Sequence, residues 1–396
     1  MITFASKPIG QIWKTMTSSE YSATGAQFEL FKTHSNRLLL HKKNAGVWYS
    51  DDNGATWTQS NKTSGTGLRF CEVKYSNRGQ IAYRLIIGDN NSSTHAIWYS
   101  EDDGVTWTKS TDTFTGLDNL STFYFRSFFS TLETTYNSGH SVVIAGAYTG
   151  IYDQSSSGIW WSGLPNSGGA TNVGKAWKQS NITAGSWYIL GESDTGRIFA
   201  SCISDLNYKG IWYSDDQGKT WSQSQLTIGS YCSFINLGNN TLLIGGHING
   251  LSETASRGIW RSTDNGATWT QLVDSTACKA CHSFYKQGNR LYGVGAWKQN
   301  SSDTQYGLGV KYSDDNGNTW NDVLSIVTNK QYDYIYSLNN SLILTVIPDS
   351  FLTQSTIPQH SEEVPVKHAR EKYLDQNGAQ ELITQFKAYC DAKVGA

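Results

Sequence analysis

Gly46-Val47-Trp48-Tyr49-Ser50-Asp51-Asp52-Asn53-Gly54-Ala55-Thr56-Trp57 is the stretch on which the reading of this 396-residue chain turns. It begins as a short strand of large apolar residues, breaks at an acidic, glycine-containing turn and closes on tryptophan. The same unit returns at 96–107, 210–221, 258–269 and 309–320, and a degenerate copy runs from Gly158-Ile159-Trp160-Trp161-Ser162 to Ala176-Trp177. Within it, Ser-x-Asp-x-Gly-x-Thr-Trp recurs without exception at 50–57, 100–107, 214–221, 262–269 and 313–320. Each residue has a local task. The glycine supplies positive φ for a tight turn. The carboxylates of Asp52, Asp102, Asp216, Asp264 and Asp315 accept hydrogen bonds from turn N–H groups. The Ser and Thr hydroxyls add bonds across the hairpin, and Trp57, Trp107, Trp221, Trp269 and Trp320 are apolar plates for a core.

Self-similarity at a fixed period marks a repeat architecture. Gln11-Ile12-Trp13-Lys14 resembles the tail of one more unit, and the closing tryptophans then fall about 51 residues apart between positions 13 and 320. Each unit parses into four strands. Second strands, counted independently at 38–40, 81–87, 142–145, 198–202, 242–244, 291–294 and 342–347, number seven. The expected fold is therefore all-β: a seven-bladed β-propeller of four-stranded blades over residues 1–348, closed by an N-terminal strand around Trp13, plus a short C-terminal α-helix. Six and eight blades are the competing counts. Residues 349–366, with Pro358 and Pro365, read as a linker. Over 367–396 the spacing changes to helical, and Ala379, Leu382, Ile383, Phe386 and Tyr389 form one apolar stripe. Such a helix is marginal alone, so Leu382, Ile383, Phe386 and Tyr389 are expected to anchor or oligomerise the chain.

Composition narrows the function classes. Charged residues are 16% of the chain and net charge is -2, with no basic block, so specialised nucleic-acid binding is not expected. The longest apolar runs are strand-sized, too short to span a bilayer as a helix. The N-terminus lacks a secretory signal pattern; the expected location is a virion or the cytoplasm of its host before assembly. Six cysteines are too few for a disulfide scaffold in a chain of this length. Cys278-Lys279-Ala280-Cys281-His282 has the spacing of a haem attachment site or half a zinc site, but no second such pair exists, and buried thiols on an inner strand are the expected reading. No cofactor and no metal are expected.

The five exact turn motifs make the chain resemble the Asp-box or BNR (bacterial neuraminidase) repeat family over roughly residues 10–348. The resemblance implies a propeller whose boxes sit on the outer rim, so that the Asp residues are turn staples and not catalytic acids. The family includes sialidases, xyloglucan-cleaving enzymes, sorting receptors and assembly factors, and fold alone does not choose among them. A sialidase would need an early Arg-Ile-Pro, and this sequence has none; its nearest fragment is Gly196-Arg197-Ile198-Phe199. Any glycosidase needs two carboxylates about 5–10 Å apart; Asp153 with Asp205 or Glu253 is the pair the loops could offer. No catalytic residue is assigned.

Propellers tend to bind ligands on the face made by second-to-third strand loops. Those loops carry Tyr148, Tyr152, Asp153, Tyr208, His247, Trp297 and Tyr306, aromatic plates beside polar groups that suit carbohydrate. The segment from Lys372 to Leu382 resembles helical segments of bacteriophage tail-associated proteins. The leading expectation is thus a non-enzymatic binding or structural protein of a phage-like particle, tail- or fibre-associated. The propeller face would meet a host-surface receptor or glycan, and the helix would meet other virion proteins or copies of itself. A BNR-type glycoside hydrolase and an intracellular scaffold or assembly factor are the alternatives.

Overall fold

The acidic turn recurs because each copy joins the third and fourth strands of one antiparallel sheet. The computed structural model describes residues 13–16, 28–42, 45–52, 56–65, 69–77, 80–89, 96–110, 123–131, 142–149, 158–163, 173–175, 177–203, 205–247, 257–297, 307–323, 331–338, 341–347 and 352–355. Their strands make seven four-stranded antiparallel sheets. Sheet 1 takes Phe28–Lys32, Leu38–Lys42, Gly46–Ser50 and Thr58–Gln59. Sheet 2 takes Phe70–Asn77, Gln80–Asp89, Ala96–Ser100 and Thr108–Lys109. Sheet 3 takes Phe123–Ser130, Val143–Thr149, Ile159–Ser162 and Lys178–Gln179. Sheet 4 takes Trp187–Glu192, Ile198–Cys202, Ile211–Ser214 and Ser222–Gln223. Sheet 5 takes Tyr231–Gly238, Thr241–Gly246, Ile259–Ser262 and Thr270–Val273. Sheet 6 takes Cys278–Gln287, Arg290–Trp297, Gly307–Ser313 and Asn321–Asp322.

Sheet 7 is assembled from both ends of the chain. Gln331–Leu338 and Ser341–Ile347 pair with Leu352–Ser355, which pairs in turn with Trp13–Met16. The outer register runs Trp13↔Ser355 to Met16↔Leu352. The N-terminal strand thus closes a sheet, as the orphan tryptophan suggests. The linker expectation over 349–366 needs correction, because 352–355 is the third strand. That strand is followed by no box motif, so nothing in the repeat pattern announces it; the pairing partner that fixes it lies some 340 residues away. The predicted helix, 367–396, lies outside the described residues.

Second strands are the most buried elements, consistent with sheets covered on both faces. Leu38, Leu39 and Leu40, Leu85 to Ile87, Val143 to Ala145, Ile198 to Ala200 and Leu242 to Ile244 are all buried. Aromatic residues fill the space between neighbouring sheets: Phe199 of sheet 4 packs against Phe234 and Trp269 of sheet 5, with ring centroids 5.7 and 5.9 Å apart. The segment Phe123–Ser130, rich in aromatics, is a first strand, and its Phe125 is buried against Trp177 and Phe128. The principal inter-sheet contacts run from the first and second strands of one sheet to the first strand of the next, which places first strands on the inside.

Two local devices link consecutive sheets. Gly266 has φ +79°, and a Cβ there would come within 2.3 Å of the Phe199 ring of the preceding sheet. Gly104, at φ +89°, lies in the same way on Leu39. The box glycine therefore both makes the turn and admits the previous sheet's second strand. The other device is an asparagine after the fourth strand. Asn61 Nδ2 donates to Trp107 O at 3.1 Å and its Oδ1 accepts from Trp107 N at 2.7 Å. Asn181 repeats this with Trp221 at 3.0 and 2.8 Å. The paired tryptophan backbone is thus satisfied across a sheet boundary. Replacing Asn181 with alanine leaves the buried Trp221 peptide N–H without that partner, at a cost of about 1–3 kcal/mol. The expected result is a calorimetric melting temperature several degrees lower, with an unchanged far-ultraviolet spectrum.

Candidate functional site

The five boxes stand at one end of their sheets, and their geometry is consistent. Ser100 Oγ donates to Asp102 Oδ1 and accepts from Gly104 N, both at 2.8 Å. Asp102 then accepts from Thr106 N at 2.8 Å and from Thr106 Oγ1 at 2.5 Å. The same carboxylate bonds recur at Asp52, Asp216, Asp264 and Asp315. The degenerate copy keeps the serine–glycine contact, Gly174 N to Ser162 Oγ at 2.7 Å, with the box aspartate position lost to the insertion. Trp57, Trp107 and Trp221 are buried, while Trp269 and Trp320 are half-buried in the core between sheets. A carboxylate holding this many donors is a structural group.

A second element of this end escaped the sequence reading. An arginine at the start of the second strand grips the residue before the box aspartate. Arg37 holds Asp51 at 2.6 and 3.2 Å, Arg197 holds Asp215 at 2.7 and 2.9 Å, and Arg290 holds Asp314 at 2.7 Å twice. Each guanidinium lies over a tyrosine two residues before that aspartate, Tyr49, Tyr213 or Tyr312, at 4.8, 4.2 and 4.1 Å. In sheet 2 the buried Arg84 bonds Glu101, the corresponding box residue, at 2.5 Å. The signal was available: Tyr-Ser-Asp or Tyr-Ser-Glu precedes each of these boxes, and an arginine stands in the strand before it.

The opposite end of the sheets carries a different chemistry. There the first strands contain β-bulges, where one extra residue opposes none on the partner strand and its side chain is re-aimed. In sheet 5 the register passes from Tyr231↔Gly246 to Ser233↔Gly245, leaving Cys232 as the extra residue. In sheet 6 it passes from Cys281↔Gly295 to Ser283↔Val294, leaving His282. These two face each other, with Cys232 Sγ 3.9 Å from His282 Nδ1. His247, just past the second strand of sheet 5, has its ring 6.3 Å from that of His282 and 5.9 Å from that of Tyr188 of sheet 4. All four residues are half-buried. Serines bind the opened strands together: Ser127 Oγ accepts from Ile189 N at 2.8 Å, and Ser233 Oγ donates to Cys281 O at 2.6 Å. The result is a rigid wall on inner strands from which two imidazoles, a phenol and a thiol project.

Of the ligand residues expected from sequence, His247 belongs to this group. Tyr208 stands at the same end, in a short 3-10 helix, Leu206–Tyr208, capped by Asp205. Its ring packs on Trp187 and Trp212 at 5.6 and 5.5 Å. Trp297 is corrected: it ends the second strand of sheet 6, is 3% exposed and packs 5.2 Å from Trp320, so it belongs to the core. The strand runs longer than its alternation suggests. The backbone of Tyr148 lies in the second strand of sheet 3, and Tyr152, Asp153 and Tyr306 lie outside the described residues, as do Leu382, Ile383, Phe386 and Tyr389. Asp205, one member of the carboxylate pair considered above, is buried and accepts from Asn207 N at 2.9 Å as a helix cap. Cys278 and Cys281 are fully buried, as expected of thiols on an inner strand, and burial pushes both thiols up. Among the described residues the five cysteines form no disulfide.

Residues 212–223 match the BNR/Asp-box repeat. No curated protein matches the chain in sequence. Among solved structures, YCF48 from Cyanidioschyzon merolae superposes with a TM-score of 0.53 at 14% identity, covering 87% of this chain and 98% of its own. Virginiamycin B lyase from Staphylococcus aureus, in a complex with quinupristin, gives 0.54 at 11%, covering 87% and 99%. The Niastella koreensis GH74 enzyme gives 0.52 at 13%, covering 84% of this chain and 43% of that one. At these identities the likeness is one of fold. The chain is an all-β protein with BNR/Asp-box repeats and a β-propeller-like fold.

The boxes set an acid limit. The Asp315 carboxyl falls from 3.8 to about 2, held there by the Thr319 N–H and the Thr319 and Ser313 hydroxyls. Asp102, Asp216 and Asp264 also lie below the ordinary range: burial opposes ionisation at each, and the Thr and Ser donors outweigh it. A depressed carboxyl contributes stability that is complete above its unfolded value and lost as pH falls through the folded one. Melting temperature should therefore drop steeply between pH 4 and pH 2. Asp315→Asn should lower it at neutral pH and make that acid slope shallower.

Proposed function

We propose that the sheets close as a seven-bladed ring and that the protein is a non-enzymatic binding protein, taking a glycan or host-surface receptor at the end bearing Tyr188, His247 and His282. The observation that carries this reading is their clustering: three half-buried rings, His282 on a bulge whose strand is braced by Ser233 and His247 and Tyr188 beside it, form a preorganised surface. Flat rings stack on the C–H faces of sugars, and imidazole and phenol groups can bond hydroxyls. Tyr208 and Trp212 extend the aromatic surface at the same end of sheet 4.

Two observations favour binding over hydrolysis. Asp205 is committed to a helix cap, and Arg37, Arg84, Arg197 and Arg290 are committed to acidic partners at the box end. A sialidase-like clamp would need three arginines at the opposite end. In support of a role in the tail or fibre of a phage-like particle are the low charge and the segment at 372–382, which resembles tail-associated helical segments. Leu382, Ile383, Phe386 and Tyr389 would dock it to virion partners or to another copy.

A glycan array probed with the intact protein tests the proposal. Binding is expected, with Tyr188→Ala and His247→Ala each weakening it about tenfold, or about 1.4 kcal/mol. No reducing sugar or sialic acid should be released from the bound glycans. Release of either product, or an array and host-surface preparation left unbound, would overturn it.

A further inference from the structure

The box end of sheets 1 and 2 holds a cleft of about 630 Å³, lined by His34, Glu72, Tyr83, Arg84, Asp103 and Lys175 among others. Three of these converge. His34 lies in the turn between the first two strands of sheet 1, and its ring stacks on Tyr83 of sheet 2 at 3.6 Å and 8°. Its Nδ1 is 2.7 Å from Glu72 Oε1, and its backbone N–H donates to Glu72 Oε2 at 2.9 Å. Asp103 is the residue before the box glycine of sheet 2, at φ 59°. Ser35 Oγ donates to its Oδ2. Its Oδ1 is buried and has no hydrogen-bond partner among the described residues. One donor atom from each of His34, Glu72 and Asp103 lies within 4.8 Å of the others.

The molecule contains its own control for this arrangement. Between sheets 4 and 5 the same framework recurs. Asn236 stands where Glu72 does, since each pairs with the second-strand residue opposite the box serine, Leu242 and Ser262 or Leu85 and Ser100. Asn265 stands where Asp103 does, at φ 60°. Asp194 replaces His34 and is satisfied by Asn236 Nδ2 at 2.9 Å and Asn240 N at 3.0 Å, while Asn265 Nδ2 donates to Thr195 Oγ1. There, amide N–H groups satisfy the one carboxylate, and Asn265 Oδ1 is buried without a hydrogen-bond partner just as Asp103 Oδ1 is, so charge is what sets sheets 1 and 2 apart. In sheets 1 and 2 both amides have become carboxylates, which when ionised accept only, and the carboxylate has become an imidazole. Arg37 compensates only in part: its Nε lies 3.9 Å from Asp103 Oδ2 and its Nη1 donates to Asp103 O at 3.1 Å, but its two short side-chain bonds go to Asp51, so its one charge is shared between two carboxylates.

We propose that His34 Nδ1, Glu72 and Asp103 bind a divalent first-row metal ion of the zinc class, bridging sheets 1 and 2 with an open position toward the cleft. A mixed imidazole and carboxylate set suits zinc-type ions, whereas calcium and magnesium prefer oxygen alone. Bonds of about 2.0–2.2 Å require ligand atoms roughly 3–4 Å apart, so the ion enters with a small widening at His34. The Tyr83 ring fixes the imidazole plane.

Zinc titration of the intact, chelator-stripped protein by calorimetry is the test. One tight site per chain is expected, accompanied by a higher melting temperature. The double variant Glu72→Gln with Asp103→Asn approximates the donor types of sheets 4 and 5 and should weaken that site by more than tenfold, since even outer-shell changes cost that much at metal centres. His34→Ala, in an exposed turn, should do the same and stands in if the double variant does not fold. No zinc bound by the intact chain at millimolar concentration would overturn the proposal. So would a site of unchanged affinity in the variants, which would place the ion elsewhere, for example on cysteine.

Discussion

A single short turn ties local structure to long-range packing. In Ser-x-Asp-x-Gly-x-Thr-Trp, the carboxylate closes the hairpin by accepting from the threonine N–H and hydroxyl, and the glycine lets the turn lie against the second strand of the previous sheet. A side chain at that glycine would collide with the neighbour, and loss of the carboxylate would open the turn that carries it. Hairpin and sheet boundary are therefore set by the same eight residues. This is why the motif tolerates an insertion at 163–173 only by keeping its serine–glycine contact and its tryptophan.

The two ends of the sheets divide the work. At the box end, arginines, acidic residues and tyrosines are consumed in pairing with one another. At the other end the first strands are bulged, and side chains that a regular strand would turn into a sheet interface are half-exposed instead. Bulges weaken a ladder, and here serine hydroxyls from the preceding sheet make good the lost backbone bonds. Rigidity at that end is thus a property of neighbouring sheets jointly and not of any one hairpin.

Strand number, the repeat and the closing role of the Trp13 region were legible because box chemistry is local and recurs. What the sequence concealed was non-local. Leu352–Ser355 has no turn motif and is defined by partners at either end of the chain. The Arg37–Asp51, Arg197–Asp215 and Arg290–Asp314 pairs have different sequence separations, so the Tyr-Ser-Asp signal leads to its arginine only through the position of each in the repeat and not through a fixed spacing. Trp297 looked like a loop residue because the alternation ends before the strand does. Cys232 and His282 could not be paired without the bulges, since a one-residue slip changes the face a side chain occupies. His247 was identified by its loop, but not its neighbours Tyr188 and His282.

The seam in sheet 7 has a temporal meaning. Residues 13–16 are synthesised before every other described strand, and their pairing partner, 352–355, follows some 340 residues later. At about 5–20 residues per second, the leading strand waits on the order of tens of seconds with its backbone unmatched. It is only four residues long, and a strand edge so short offers little template to passing chains. Brevity at the seam is thus a safeguard during synthesis, obtained at the cost of a short final latch.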